Sequence, residues 1–233
     1  MNEQEFEQIL QYKYHDIRLL KRALTHSSWC KEHHRPPMEC NERLEFLGDA
    51  FLDAIIGTEL FTRLDHSNEG KLTKLRALVV CEKALAEVGR KLNIGEYLYL
   101  GHGEEITGGR NRESIIADAV EAVIASVFLD SDYEHVRDFV LREFRPLVDL
   151  ALEGKLYSDY KTQVQEILQK KGTEPEIRYV LDRETGPDHD KTFYVHMLCN
   201  GQKMGSGSGK SKKEAEQNAA KASLEEGYVE NVL

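Results

Sequence analysis

Asn41-Glu42-Arg43-Leu44-Glu45-Phe46-Leu47-Gly48-Asp49-Ala50-Phe51-Leu52-Asp53-Ala54-Ile55-Ile56 reads as a helix with apolar residues around almost its whole circumference. That is the pattern of a helix sunk in a core, yet this one carries acids. Glu42, Glu45 and Asp49 stand at i, i+3 and i+7, and at about 100° per residue they fall on one narrow face. A second run, Ile115-Ile116-Ala117-Asp118-Ala119-Val120-Glu121-Ala122-Val123-Ile124-Ala125, repeats the arrangement with Asp118 and Glu121 at i, i+3. On a single helix such a pair is ordinarily a solvated face. Here both runs set their acids in apolar surroundings, where unpaired carboxylates are costly and need a compensating cation or must protonate. Lys and Arg are scarce on both helices. A hard divalent metal resolves the conflict, because Mg²⁺ or Mn²⁺ takes oxygen ligands and serves phosphoryl chemistry.

These residues carry a resemblance. Asn41 to Asp49 resembles the signature of bacterial ribonuclease III, and Asp118-Ala119-Val120-Glu121 falls where that family has its second acidic pair. The likeness continues through Ser67-Asn68-Glu69-Gly70-Lys71-Leu72 and Gly101-His102-Gly103-Glu104-Glu105 to the C-terminal region, nearly the whole chain. It implies an all-α endonuclease domain followed by an α-β-β-β-α double-stranded-RNA-binding domain. It implies further that Glu45, Asp49, Asp118 and Glu121 ligate the catalytic Mg²⁺, with Mn²⁺ as substitute, and that Asp49 and Glu121 are catalytic. Glu42 and Glu69 match further acidic positions of the family, tied to substrate processing or a second metal. The implied reaction is hydrolysis of double-stranded RNA to 5′-phosphate and 3′-hydroxyl ends, with roles in rRNA and mRNA processing. One site cuts one strand, so cleaving a duplex calls for two sites related by symmetry, a homodimer. Phe46 is the residue of the signature that the resemblance assigns to the subunit interface.

At 233 residues the chain has room for two cores. Helical spacing dominates from Glu3 to Leu152, in the runs Ile17 to Leu24, Leu44 to Leu64, Leu72 to Leu92, Ile115 to Leu129 and Val136 to Leu152. Gly154 and Tyr157-Ser158-Asp159 then close this region, giving expected bounds of 1–153 for the helical domain, 154–158 for a linker and 159–228 for the second domain. No run approaches the ~18 apolar residues of a membrane span, and the acidic start Met-Asn-Glu-Gln-Glu-Phe-Glu lacks the features of a secretory signal. The four scattered cysteines form no C-x-x-C pair and read as reduced thiols; the expected location is the cytoplasm. Cys30, His33, His34 and Cys40 could be drawn as a zinc site, but their spacing fits no familiar finger, and Pro36-Pro37 marks a loop.

Net charge is −10, and the region from Ser158 onward holds 11 Lys plus Arg against 13 Asp plus Glu. A basic domain is the usual footprint of a nucleic-acid binder, so any grip on phosphate must come from local grouping. Tyr160 to Lys171 reads as a helix, Glu176 to Leu181, Thr192 to Leu198 and Gln202 to Ser206 as strands, and Ser211 to Glu226 as a final helix. On the first helix Val164, Ile167 and Leu168 make the core stripe, while Thr162, Gln165, Glu166 and Gln169 occupy another face, suited to 2′-hydroxyls and base edges in an RNA minor groove. Ser211 and Glu214 form an S-x-x-E capping box, and Lys210, Lys212 and Lys213 gather at the positive end of that helix. Gly207 and Gly209 are read as letting the backbone approach phosphate, with Ala215, Ala219 and Ala222 packing on the sheet. The string Gly207 to Glu216 resembles the phosphate-binding motif of double-stranded-RNA-binding domains, and in Gly186-Pro187-Asp188-His189-Asp190 the resemblance points to His189 as a groove contact. A P-loop does not fit, since only three residues separate Gly205 from Gly209 where four are required; no nucleotide cofactor is expected.

Two other readings compete with a double-strand-specific endoribonuclease. A non-cleaving RNA-binding regulator on a nuclease scaffold would have no reason to bury intact acids. A carboxylate-bridged redox bundle would need E-x-x-H pairs, which the acidic helices lack.

Overall fold

The computed structural model describes residues 3–157, 160–170, 176–187 and 191–225. The chain divides into two compact units, 1–157 and 158–233.

The first unit is helical: α1 (Glu3–Leu10), α2 (Ile17–Ala23), α3 (Ser27–Glu32), α4 (Glu42–Arg63), α5 (Glu69–Val79), α6 (Glu82–Lys91), α7 (Ile94–Tyr97), α8 (His102–Ile106), α9 (Glu113–Asp130) and α10 (Tyr133–Leu152). The run read as continuous from Leu72 to Leu92 is two helices, broken at Val80 and Cys81. At the centre lies α9, whose Ile115, Ile116, Ala117, Val120, Val123, Ile124 and Val127 are all buried, as its all-round apolar sequence demands.

Two glycines let neighbours close on α9. A Cβ on Gly48 of α4 would lie 1.8 Å from the carbonyl oxygen of Glu121, and one on Gly89 of α6 would lie 2.2 Å from Ile116 Cγ2. The helix α10 ends with Glu153 as C-cap and Gly154 at φ 69°, the left-handed turn glycine adopts without strain. The chain then tucks Leu156 into the core and lays Tyr157 under Lys83 Nζ, 4.2 Å from the ring centroid. The helical unit therefore reaches Tyr157.

The α4 helix departs from the all-round burial expected of it. Leu44, Gly48, Leu52, Ile55, Ile56 and Leu60 face the core, while Ala50 and Ala54 are exposed, Phe46 is 79 % exposed and Phe61 70 %. Among the described residues of this unit no helix covers that side.

The second unit runs α11 (Tyr160–Lys170), β1 (Ile177–Thr185), β2 (Thr192–Cys199), β3 (Gln202–Gly209) and α12 (Lys212–Glu225). The sheet is antiparallel in the order β1-β2-β3. Asn200 and Gly201, at φ 50° and 81°, make the tight turn between β2 and β3, as an Asn-Gly pair favours. Val164 and Leu168 of α11, Val195 and Met197 of β2, Met204 of β3 and Ala215, Ala219 and Ala220 of α12 form the core. Ala222, expected in that stripe, is only partly buried.

Candidate active site

The crossing of α4 and α9 at Gly48 determines where the acids stand. With no side chain between the helices at that point, Glu45 and Asp49 on one helix flank the level of Glu121 on the other. Carboxylate oxygens of Glu45, Asp118 and Glu121 come within 4.8 Å of one another, and all three residues are partly buried. Among the described residues none of these three carboxylates has a cationic partner within 4.0 Å.

Their protonation shows the resulting tension. Burial, then the nearby charges of Asp49, Glu45 and Asp118, push the Glu121 carboxyl up to about 8. Burial and the charges of Asp118, Glu42 and Asp49 raise Glu45; burial with Glu82 and Glu42 raises Asp118. Each is the response of an acid that has lost water and gained only like-charged neighbours. The buried Glu143 has a different environment, accepting hydrogen bonds from Lys91 Nζ at 2.8 Å and Arg142 Nε at 2.7 Å.

Asp49 is exposed and stands outside the three-carboxylate group, though its charge acts on both Glu121 and Glu45. Glu42 is exposed in the first turn of α4, and its charge reaches Glu45 and Asp118. Glu69 begins α5 and is exposed, with Asn68 capping that helix through the Lys71 N–H at 2.9 Å; no described contact joins it to the cluster. Sequence reasoning missed two outer acids, Asp53 and Glu82, whose charges act on Glu121 and Asp118. Asp53, one turn beyond Asp49, could have been found by helical spacing, whereas Glu82 arrives from α6 through tertiary packing alone.

Two residues of the zinc arrangement considered above are otherwise engaged. His33 stacks on Trp29 with ring centroids 4.1 Å apart, and Cys40 Sγ donates to the Pro37 carbonyl at 2.9 Å.

In the second unit Thr162, Gln165, Glu166 and Gln169 are all exposed along α11, opposite Val164 and Leu168. Lys210, Lys212 and Lys213 are exposed at the start of α12. The Glu214 N–H donates to Ser211 Oγ at 3.1 Å, while Glu214 Oε2 accepts from the Lys210 N–H at 2.7 Å. The capping box thus closes one residue earlier than its usual form, and α12 begins at Lys212. His189 lies outside the described residues.

Gly207 and Gly209 serve a different purpose from the one expected. They lie within β3, and a Cβ on Gly207 would sit 2.2 Å from the Ala219 nitrogen and one on Gly209 2.7 Å from Glu214 Cγ. Their smallness admits α12 onto the sheet.

An acid-lined helical unit followed by an α-β-β-β-α unit with a basic helix start has the build of a nucleic-acid-processing protein. Residues 16–147 match the family described as ribonuclease-III-like, and residues 160–226 the double-stranded RNA binding motif. Ribonuclease 3 of Clostridium beijerinckii is 48 % identical over 221 residues, 95 % of this chain and 94 % of that protein. Ribonuclease 3 of Pelotomaculum thermopropionicum is 48 % identical over 211 residues, 91 % of this chain and 87 % of that one. The nuclease domain of ribonuclease III from Campylobacter jejuni, solved in a study of flexibility in its region of dimer formation, superposes with a TM-score of 0.58 at 40 % identity, covering 62 % of this chain and 97 % of that domain. The chain belongs to the ribonuclease III family of endoribonucleases, with a helical nuclease domain and a C-terminal double-stranded-RNA-binding domain, as its sequence implies.

Proposed function

We propose that the chain hydrolyses phosphodiester bonds in both strands of double-stranded RNA, with Glu45, Asp49, Asp118 and Glu121 holding a divalent metal, Mg²⁺ or in its place Mn²⁺. The reading is carried by the convergence of Glu45, Asp118 and Glu121 with no cation beside them, in a unit that supplies two cations to the buried Glu143. The donor set fits, being composed of hard carboxylate oxygens. When bound, a hard divalent ion supplies polarisation of the phosphate and acidifies water for attack.

The protein's residues bind and orient. Glu121, Glu45 and Asp118 provide a charged concavity once deprotonated, and the rigid α4–α9 crossing sets their spacing. Asp49, exposed beside them, extends that surface toward the substrate; Glu42 continues it along α4, and Glu69 is read as an accessory acid in substrate processing. The attacking water displaces the 3′-oxygen and leaves 5′-phosphate and 3′-hydroxyl ends.

RNA is held by the second unit. Thr162, Gln165, Glu166 and Gln169 offer groups to the 2′-hydroxyls of a minor groove, Lys210, Lys212 and Lys213 meet phosphates at a helix N-terminus, and His189 contacts a neighbouring groove. Cutting both strands is assigned to a homodimer in which the outer face of α4, with Phe46, meets a second copy. The dimer-forming region named for the Campylobacter jejuni domain supports this. The proposed roles are rRNA and mRNA processing in the cytoplasm, a reducing compartment that suits the four free thiols. No helix among the described residues is long and apolar enough to cross a membrane.

The test is incubation with long double-stranded RNA in Mg²⁺, in Mn²⁺ and in EDTA, beside a single-stranded control. Cleavage of the duplex confined to the metal-containing arms is the expected result. Binding without cleavage in every arm would establish the non-cleaving regulator instead.

A further inference from the structure

In a chain of net charge −10, one concavity of the helical unit is basic. Arg18, Lys21 and Arg22 of α2 and Arg35 of the segment after α3 line a cavity of about 430 Å³, walled on its apolar side by Trp29 and Met38. Two of the four cations are already matched: Arg18 pairs with Asp16 at 2.8 Å and Arg35 with Glu39 at 2.7 Å. Lys21 and Arg22 are not, since neither has a carboxylate within 4.0 Å among the described residues. Lys21 Nζ lies 5.4 Å from the centroid of the Tyr99 ring, and Arg22 Nε donates to the Cys40 carbonyl at 3.4 Å. Met38 is 61 % exposed and so open to a ligand. Two cations without a carboxylate in ion-pair range, Lys21 acting on the Glu3 carboxyl only at longer reach, stand beside a thioether and an indole that carries His33 on one face, and offer separate surfaces to a phosphate and to the base or sugar attached to it.

The cavity adjoins the acidic cluster. Thr25, also in its wall, accepts the Asn41 N–H at 2.8 Å, and Asn41 is the N-cap of α4. At 1.5 Å of rise per residue, Glu45 lies only about 6 Å further along the helix. Between the two, the buried Asn41 side-chain nitrogen has no hydrogen-bond partner. We propose that this cavity takes up a nucleotide of the RNA strand flanking the cut, its phosphate on Lys21 and Arg22 and its base or sugar against Trp29 and Met38. The inference rests on the nuclease reading above and adds a positioning site within the nuclease domain.

Trp29 is the sole tryptophan of the chain, so its emission reports directly on this cavity. The full chain with Glu121→Gln, which should bind without cutting, would be titrated in Mg²⁺ with a short RNA duplex and separately with adenosine monophosphate. The RNA association itself would be followed by fluorescence anisotropy of labelled duplex. Quenching of Trp29 in step with RNA binding, with no response to micromolar nucleotide, is expected. Unchanged Trp29 emission while the duplex binds would overturn the site and leave the nuclease reading intact. Failure of the otherwise wild-type chain to bind or cut RNA would overturn both. Quenching by the free nucleotide alone would assign the cavity to a soluble ligand and also overturn the proposal. As a second measurement, Lys21→Gln, at an exposed position, should raise KM for a short duplex about 3- to 10-fold with kcat retained, and Lys21→Arg should restore it. Unaltered KM in Lys21→Gln would remove Lys21 from the contact.

Discussion

Glu121 and Glu143 are both acids drawn into the helical unit, and their neighbours send them in opposite directions. Burial would raise Glu143, but hydrogen bonds from Lys91 and Arg142 overcome it and hold the carboxyl below the ordinary range. Glu121 has only acids around it and rises to about 8. Below the ordinary carboxylate range both folded and unfolded chains hold the Glu121 proton, and nothing is lost. Between that range and about 8 only the folded chain holds it, so in EDTA stability falls as pH climbs through this window. Glu121→Gln removes the effect. Its melting temperature in EDTA at pH 8 should exceed that of the unaltered chain, by roughly 2–4 °C for each kcal/mol recovered, with the two converging near pH 5. Equal melting temperatures at pH 8 would show that Glu121 is not strained. The same variant should lose at least about a hundredfold in cleavage, as loss of a metal ligand demands, while retaining RNA affinity; turnover at the normal rate in Mg²⁺ would exclude Glu121 from the site. Ca²⁺, with longer bonds and looser geometry, should support RNA binding more effectively than cutting, and rapid Ca²⁺-driven cleavage would contradict the proposed arrangement.

At the level of elements, the α4–α9 pair depends on Gly48. A methyl group there meets the Glu121 carbonyl at 1.8 Å, and the obstacle is backbone rather than a side chain that could swing aside. Gly48→Ala should destabilise the helical unit by about 2–3 kcal/mol or more, in the range of overpacked cores. Urea unfolding that moved by less than about 0.5 kcal/mol would show that the helices separate freely. Both acidic helices were legible in the sequence because apolar periodicity and carboxylate spacing lie within a single element. Features arising between elements were not. The outer face of α4 looked like core because Phe46, Ala50, Ala54 and Phe61 are apolar whether or not this chain covers them. Gly207 and Gly209 suggested an approach to phosphate because the sequence does not reveal that α12 lies against them. Likewise, apolar spacing ran on from Leu72 to Leu92 although α5 ends at Val79 and α6 begins at Glu82.

For the whole molecule, two separate cores predict separable functions. Deleting Ser158 to Leu233 should leave a folded helical protein that still cuts RNA at low ionic strength and loses most of its affinity at physiological salt. Replacing Lys210, Lys212 and Lys213 together by Gln in the full chain should weaken binding and flatten its salt dependence, each lost phosphate contact lowering the slope by roughly 0.7 to 0.9. Coincident salt titrations for the altered and unaltered chains would remove α12 from the RNA interface. Phe46→Asp should shift sedimentation toward the monomer, because it places a charge on the exposed apolar side of α4; an unchanged mass would move the subunit contact elsewhere.

The near-contact of Gly48 with the Glu121 carbonyl also governs where the length of the chain can drift. Removing one residue between Glu45 and Gly48 turns everything on one side of the crossing by about 100° relative to the other, which carries Glu45 away from Asp118 and Glu121 even though no acid has been altered. Compensation by side-chain repacking is closed off, because the fixed point is backbone against backbone. Residues 33–39, by contrast, are all exposed and lie between α3 and α4 without entering the core, so insertions there leave the register of the acids untouched. Insertions and deletions in proteins of this build should therefore be absent from the two helices that cross.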